Sequence, residues 1–290
     1  MRKINISTGG ERDQTAYKTA CDFIESGIHN IELSGGLYDP DQLKKLIQLK
    51  SYAQFYIHNY FPPAPKSFVM NLASLDKNIA KLTIDHIKTA INWTSELETN
   101  IYSFHAGFLV DLRPSELGKK VVSRTLSNRK EATLHFIERV NLIDDYAKNH
   151  GIKLLIENNV LSKNNFYEFG CDPFLMANSS DFQNIMLNTS DNVGLLLDVA
   201  HLKVSANSLG YDPVKFIQAS NKWIEAYHLS DNDGYRDSNQ SIKKNSWFWP
   251  HLKDDVDLLT LEIYNCSPNQ LLKQQELVTN LLKNIDEKLV

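Results

Sequence analysis

Lys153-Leu154-Leu155-Ile156-Glu157-Asn158 and Val193-Gly194-Leu195-Leu196-Leu197-Asp198 decide the fold of this chain. Each carries a run of consecutive apolar residues, whereas a strand with one face in water alternates apolar and polar positions. Uninterrupted apolar strands are buried on both faces, the condition of a parallel sheet covered by helices. Outward from this pair, similar β-rich segments recur at Lys3–Ser7, Asn30–Ser34, Gln54–Asn59, Ile101–His105, Ile224–Ser230 and Asp257–Ile263. Stretches of helical period separate them, at Thr15–Ser26, Asp41–Lys50, Leu75–Glu98, Arg129–His150, Pro173–Leu187, Pro213–Lys222 and Asn269–Leu289. Asp beside Pro at Asp39-Pro40, Asp172-Pro173 and Asp212-Pro213 marks helix entrances, and Gly27 and Gly151 mark exits. Eight strands alternating with helices through right-handed crossovers close most simply into a single (β/α)8 barrel. An open doubly wound sheet is the rival, but no Gly-x-Gly-x-x-Gly follows the first strand. No repeat, low-complexity tract or Pro-rich linker interrupts the chain, so residues 1–290 are expected to form one barrel domain.

The composition narrows the function classes. The 290 residues are 42% hydrophobic and 23% charged, an ordinary globular balance that excludes a disordered or collagen-like chain. Lys plus Arg number 31 against 35 Asp plus Glu, a formal charge of −4, so no general positive field invites nucleic acid as a partner. Cys21, Cys171 and Cys266 lie far apart without a Cys-x-x-Cys pair, which suits free thiols in a reducing compartment. The N-terminus runs into the first strand without a signal-peptide stretch, and no run approaches the roughly 20 apolar residues of a membrane helix. The expectation is a cytoplasmic protein that makes no use of a membrane.

In such a barrel the chemistry gathers at the C-terminal ends of the strands. Those ends bring Glu32, His58, His105, Glu157, Asp198 with His201, His228 and Glu262. Any one alone is ordinarily a hydrogen-bonded rim residue or a helix cap. The set is different: Glu157, Asp198, His228 and Glu262 are separated by 41, 30 and 34 residues, about one strand–helix unit each. Four consecutive strands would therefore deliver three carboxylates and an imidazole to one rim, and such a group does not stay ionised together without a cation. These four are candidate ligands of a divalent metal. Three hard oxygens with one nitrogen suit Mn²⁺, Mg²⁺ or Co²⁺, with Zn²⁺ also admissible. His58, His105 and His201 add nitrogens that would shift the balance toward Zn²⁺ or a multinuclear cluster if they also bind.

Phe104-His105-Ala106-Gly107, Leu155-Ile156-Glu157-Asn158-Asn159, the run Leu196 to Lys203 and the run Tyr227 to Gly234 together resemble the xylose isomerase-like barrel superfamily. That superfamily holds sugar and sugar-phosphate isomerases and epimerases, and also DNA-repair enzymes of the endonuclease IV type. The isomerase and epimerase branch implies metal ligation by Glu157, Asp198, His228 and Glu262, with His201 near the substrate. The endonuclease branch implies a three-zinc set that also recruits His58, His105 and His201, and it is similar to this chain at Asn71-Leu72-Ala73-Ser74. It expects an Asp-x-His pair after the seventh strand, however, and here Asp237-Ser238-Asn239 puts an amide where the imidazole belongs. His251 could substitute only if its loop folds back.

The expectation is thus a metal-dependent isomerase or epimerase of a sugar or sugar derivative, an enzyme of carbohydrate metabolism. The metal would polarise the substrate while Glu157 and Glu262 pass a proton as base and acid. His201 would bind a hydroxyl, and Lys203 could hold an oxyanion or a phosphate. Two readings compete with it: an endonuclease IV-like zinc phosphodiesterase acting on abasic DNA, and a sugar-binding barrel without turnover. Tyr60, Phe61 and the Trp247-Phe248-Trp249 run fall in strand-end loops. The triplet is hard to hide on one helix face and is expected to cover the site or meet another subunit of a homo-oligomer.

Overall fold

A computed structural model describes residues 2–286. Its strands are β1 (Lys3–Ser7), β2 (Asn30–Leu33), β3 (Gln54–His58), β4 (Ile101–His105), β5 (Lys153–Glu157), β6 (Val193–Asp198), β7 (Ile224–Leu229) and β8 (Leu258–Leu261). They pair in parallel in chain order and close when β8 returns to β1, with Lys3 opposite Leu258 and Ile6 opposite Leu261. The molecule is a single (β/α)8 barrel. Between the strands lie α1 (Ala16–Glu25), α2 (Gln42–Ile47), α3 (Lys77–Glu96), α4 (Arg129–Lys148), α5 (Lys163–Phe169), α6 (Ser179–Asn188), α7 (Val199–Leu209) and α8 (Pro213–Ser220), and α9 (Pro268–Asp286) follows β8.

The consecutive apolar runs have the physical cause inferred for them. Side chains two apart share a face of a strand, so Leu154, Ile156, Leu195 and Leu197 join the large core between the sheet and its helices. Leu155, Leu196 and Ala226 form a separate cluster inside the barrel. Gly194 leaves room for them, since a Cβ there would lie 2.8 Å from Leu155 Cδ2.

Several expectations about the connections need correction. The helix expected over Pro173–Leu187 begins at Ser179, with Asn178 as its cap, because Phe174 is drawn into a bridge with Phe108. Helices α5 and α7 lie in stretches outside the expected helical segments. The last helix, expected over Asn269–Leu289, starts at Pro268, and residues 287–289 lie outside the described residues. Of the aromatic triplet, Phe248 is wholly buried and Trp249 nearly so, both in the main core, and Trp247 packs against that core partly buried. Phe61 is likewise core, edge-on to Trp93. Among the described residues no helix is long and apolar enough to cross a membrane, and the three cysteines are free.

The loops above β3 and β4 are braced by Asn71. Its Nδ2 donates to Phe108 O at 3.0 Å and Asp111 Oδ1 at 2.8 Å, while its Oδ1 accepts from the N–H of Ala73 and of Phe108. Arg139 of α4 ties the same loop down through the carbonyls of Leu72 and Ser74. The Asn71–Ser74 segment is therefore accounted for as a brace that fixes the mouth of the barrel.

Candidate metal centre

The alternation that puts Leu155, Leu196 and Ala226 inside the barrel also puts Glu157, Asp198 and His228 there, two residues further along each strand. On the other strands the same parity turns Ser7, Glu32, His58, His105 and Glu262 inward, and of the whole inward set only His105 is more than slightly exposed. The upper barrel thus carries a polar layer on an apolar one. In-register pairing sets neighbours side by side, His105 against Glu157 and Asp198 against His228.

The structure brings Glu157, Asp198, His228 and Glu262 together, with one ligand atom from each within 4.8 Å of the others. A second group joins His58, His105 and Glu157, and a third His58, His228 and Glu262. Glu157 is the hub. Its Oε2 lies 3.2 Å from His58 Nε2 and 3.1 Å from His105 Nδ1, and its Oε1 lies 3.3 Å from His228 Nδ1 and 3.4 Å from His201 Nδ1. These are short approaches without hydrogen-bond geometry. Both oxygens of Glu157, Asp198 Oδ2, His228 Nδ1 and His105 Nδ1 are buried without a hydrogen-bond partner. Leaving one such atom unpaired costs roughly 1–3 kcal/mol, and more when charged. Such atoms facing one another form groups that could hold a metal ion, and the donor set fits a divalent one.

The electrostatics agree. Burial pushes the Asp198 carboxyl up to about 7, helped by Glu157, Asp237 and Glu262 and opposed by His201. Burial would raise Glu157 too, but His105, His58 and His228 hold it well below the usual carboxylate range. Burial lowers His105 to about 3. In His228 burial acts in the same sense and is overcome by Glu32, Glu262 and Glu157, which hold it well above its ordinary value. Sites in which neighbours drive similar groups in opposite directions are typical of functional centres.

The remaining candidates divide. His201 sits at the start of α7, where its backbone N–H donates to Asp198 Oδ1 at 2.7 Å. Its Nδ1–H donates to Asn158 O at 3.0 Å, and its Nε2 is 3.3 Å from Asp237 Oδ2 and 3.7 Å from Asp198 Oδ2. Asn239 is buried, and its carbonyl accepts from Tyr264 N–H at 3.0 Å. Lys203 commits its ammonium to Asp231 Oδ1 at 2.7 Å and to the carbonyl of Asn232. His251 is not folded back: it lines an outer groove of about 350 Å³ with Val214, Ile217 and Asn221. The residue whose role sequence reading missed is Glu32, whose Oε2 accepts from His228 Nε2–H at 3.0 Å. It was visible as a strand end, but its partner is 196 residues away.

A family model described as xylose isomerase-like TIM barrel matches residues 15–257. An uncharacterized protein of Methanocaldococcus jannaschii is 23% identical over 253 residues, 86% of this chain and 78% of that one. Among solved structures, a D-tagatose 3-epimerase-like protein superposes with a TM-score of 0.74 at 20% identity, covering 100% of both chains. An L-ribulose 3-epimerase does so with 0.63 at 16% identity, over 95% of this chain and 86% of its own. At these identities the structural likenesses establish the fold.

Proposed function

Since this chain belongs to the xylose isomerase-like TIM barrel family, we propose that it is a metal-dependent isomerase or epimerase of a sugar or sugar derivative. The observation that carries the proposal is the set of buried, unpartnered ligand atoms of Glu157, Asp198 and His228, gathered with Glu262 at the strand ends. The ketose epimerases that share the fold point to ketoses as the first substrates to try.

Glu157, Asp198, His228 and Glu262 would hold the ion, Mn²⁺, Mg²⁺, Co²⁺ or Zn²⁺. When bound, it supplies a Lewis acid that polarises a substrate carbonyl and lowers the acidity barrier of the adjacent C–H. Glu157 and Glu262 come from β5 and from just past β8, so they reach the centre from different sides and can serve as base and acid. Their surroundings differ as such a pair requires: Glu157 faces four imidazoles, whereas Glu262 faces one, His228, at 3.6 Å from Oε2, with the hydroxyls of Ser7 and Tyr264 at 3.5 and 3.4 Å from Oε1. His201, tethered through Nδ1, faces Asp237 with Nε2 at 3.3 Å, and offering that nitrogen to a substrate hydroxyl would exchange this carboxylate for the substrate. Lys203, held by Asp231, has no anion-binding task in this reading, which favours an unphosphorylated sugar.

Purified protein loaded with each metal and incubated with ketoses in deuterated water tests the proposal. Deuterium at one stereocentre of the product is the expected result, and complete retention of hydrogen would remove the proton-passing role of the glutamates. One observation favours a second reading, the zinc phosphodiesterase: the His58, His105 and Glu157 group offers a further ion a nitrogen-rich seat. Nicking of abasic-site DNA by zinc-loaded protein, without turnover of any sugar, would decide for it.

A further inference from the structure

Glu32 is almost wholly buried inside the barrel and belongs to none of the atom groups close enough to share an ion. Its Oε2 accepts two hydrogen bonds, from His228 Nε2–H at 3.0 Å and from Thr260 Oγ1–H at 2.9 Å. Thr260 stands opposite His228 in the β7–β8 ladder, and its Oγ1 accepts from Asn5 Nδ2 at 3.5 Å. A buried chain of hydrogen bonds thus runs from β1 through β8 to β2 and ends on the imidazole of β7.

That imidazole has a choice. With its proton on Nδ1 it could satisfy Glu157 Oε1, 3.3 Å away, and would present no lone pair to an ion. With its proton on Nε2 it satisfies Glu32 and leaves Nδ1 bare, and Nδ1 is the atom that has no hydrogen-bond partner. We infer that Glu32 is a positioning residue: it holds His228 as the Nε2–H tautomer, aims Nδ1 at the ion, and so sets metal affinity without ligating the metal. A carboxylate on the far nitrogen of a ligating histidine both orients the ring and strengthens it as a donor. Thr260 and Asn5 hold the carboxylate at that angle.

The inference rests on the reading of the cluster as a metal centre, and its test separates the two. Wild type and the Glu32→Gln, Glu32→Ala and Thr260→Val variants are titrated with Mn²⁺ against a fluorescent chelator. Glu32→Ala is expected to weaken binding by about 10- to 100-fold. Glu32→Gln, which keeps an acceptor and loses the charge, should lose less, and Thr260→Val least. In parallel, nitrogen NMR of histidine-labelled, cadmium-loaded wild type should show metal coupling to His228 Nδ1 with Nε2 still protonated, the signal being assigned by its loss in His228→Gln. Undiminished affinity in folded Glu32→Ala, or coupling to Nε2, overturns the inference. The NMR result decides it if the alanine variant does not fold. Wild type that takes up neither Mn²⁺ nor Cd²⁺ overturns the metal centre itself, and the inference with it.

Discussion

At the scale of single residues, the two glutamates are not equivalent. Glu157 is wholly buried among imidazoles, so removing its charge disturbs every neighbour at once. Glu262 faces a single imidazole, His228, at 3.6 Å and otherwise has the hydroxyls of Ser7 and Tyr264 beside it, so an amide fits there with less disturbance. Glu262→Gln should therefore retain most of its metal, measured by elemental analysis after gel filtration, while turnover falls by about 100- to 10,000-fold, the usual worth of a general acid or base. Glu157→Gln should lose both metal and turnover. Wild-type kcat in Glu262→Gln would end its assignment as acid or base. The positions of these groups were legible in the sequence because each ends an apolar strand at a spacing of one strand–helix unit. The relation of Glu32 to His228 was not, since it depends on which side chains meet across the barrel interior, and that follows from closure and register rather than from any local pattern.

At the scale of elements, legibility followed periodicity. The strands matched closely because each carries β-branched, aromatic or leucine residues in a short segment bounded by turn signals, with uninterrupted apolar runs in β5 and β6. Helix α7 was missed because it too is covered on nearly every side: Val199, Ala200, Leu202, Val204, Ser205, Ala206 and Ser208 are all buried, which leaves no stripe to detect. Helix α5 has only seven residues, too few to show a helical period, and it begins at a cap, Ser162, that resembles any loop serine. The loops hold two testable devices. Asn71 satisfies four backbone or side-chain groups between two loops, and Asn71→Ala should cost about 2–4 kcal/mol in urea unfolding, because buried donors and acceptors lose their partners together. A cost under about 0.5 kcal/mol, the scale of an ordinary surface change, would contradict the brace. Beyond β4, Glu116 accepts from Arg124 Nη1 and Nη2 at 2.9 and 2.8 Å and from the N–H of Arg113 and Val122. The Arg124 guanidinium holds its carboxyl down to about 2, against an ordinary 4.5. A lowered carboxylate stabilises the fold above its unfolded value and loses that contribution as pH falls toward the folded one. Glu116→Gln should cost about 2 kcal/mol near neutral pH, a deficit that shrinks between about pH 4.5 and pH 2. Amide exchange at Val122 reads it directly, and a deficit independent of pH would sink the ion pair as its cause.

At the scale of the whole molecule, the proposed centre sits where the barrel is both held together and electrostatically divided. Four strands, β5 to β8, send their inward acids and one imidazole to a point where the described atoms cannot satisfy one another. The strands' backbone pairing has to hold those groups together against mutual repulsion. A bound cation turns that repulsion into attraction, and since the unfolded chain scatters the ligands, binding energy becomes folding energy. Free ion at 100 times its Kd adds about 2.7 kcal/mol, which for a chain of this size raises the melting midpoint by roughly 5 °C. Differential scanning calorimetry with Mn²⁺, Co²⁺ or Zn²⁺ should show that rise, and excess chelator should reverse it. Asp198→Asn separates this effect from non-specific ion binding. The amide still accepts from His201 N–H at the start of α7 but forfeits the charge that faces the ion, so the metal-free midpoint should change little while most of the metal-induced rise disappears. If wild type melts at the same temperature with and without every one of these ions, the convergence of acids at the strand ends has some other explanation than a resident metal.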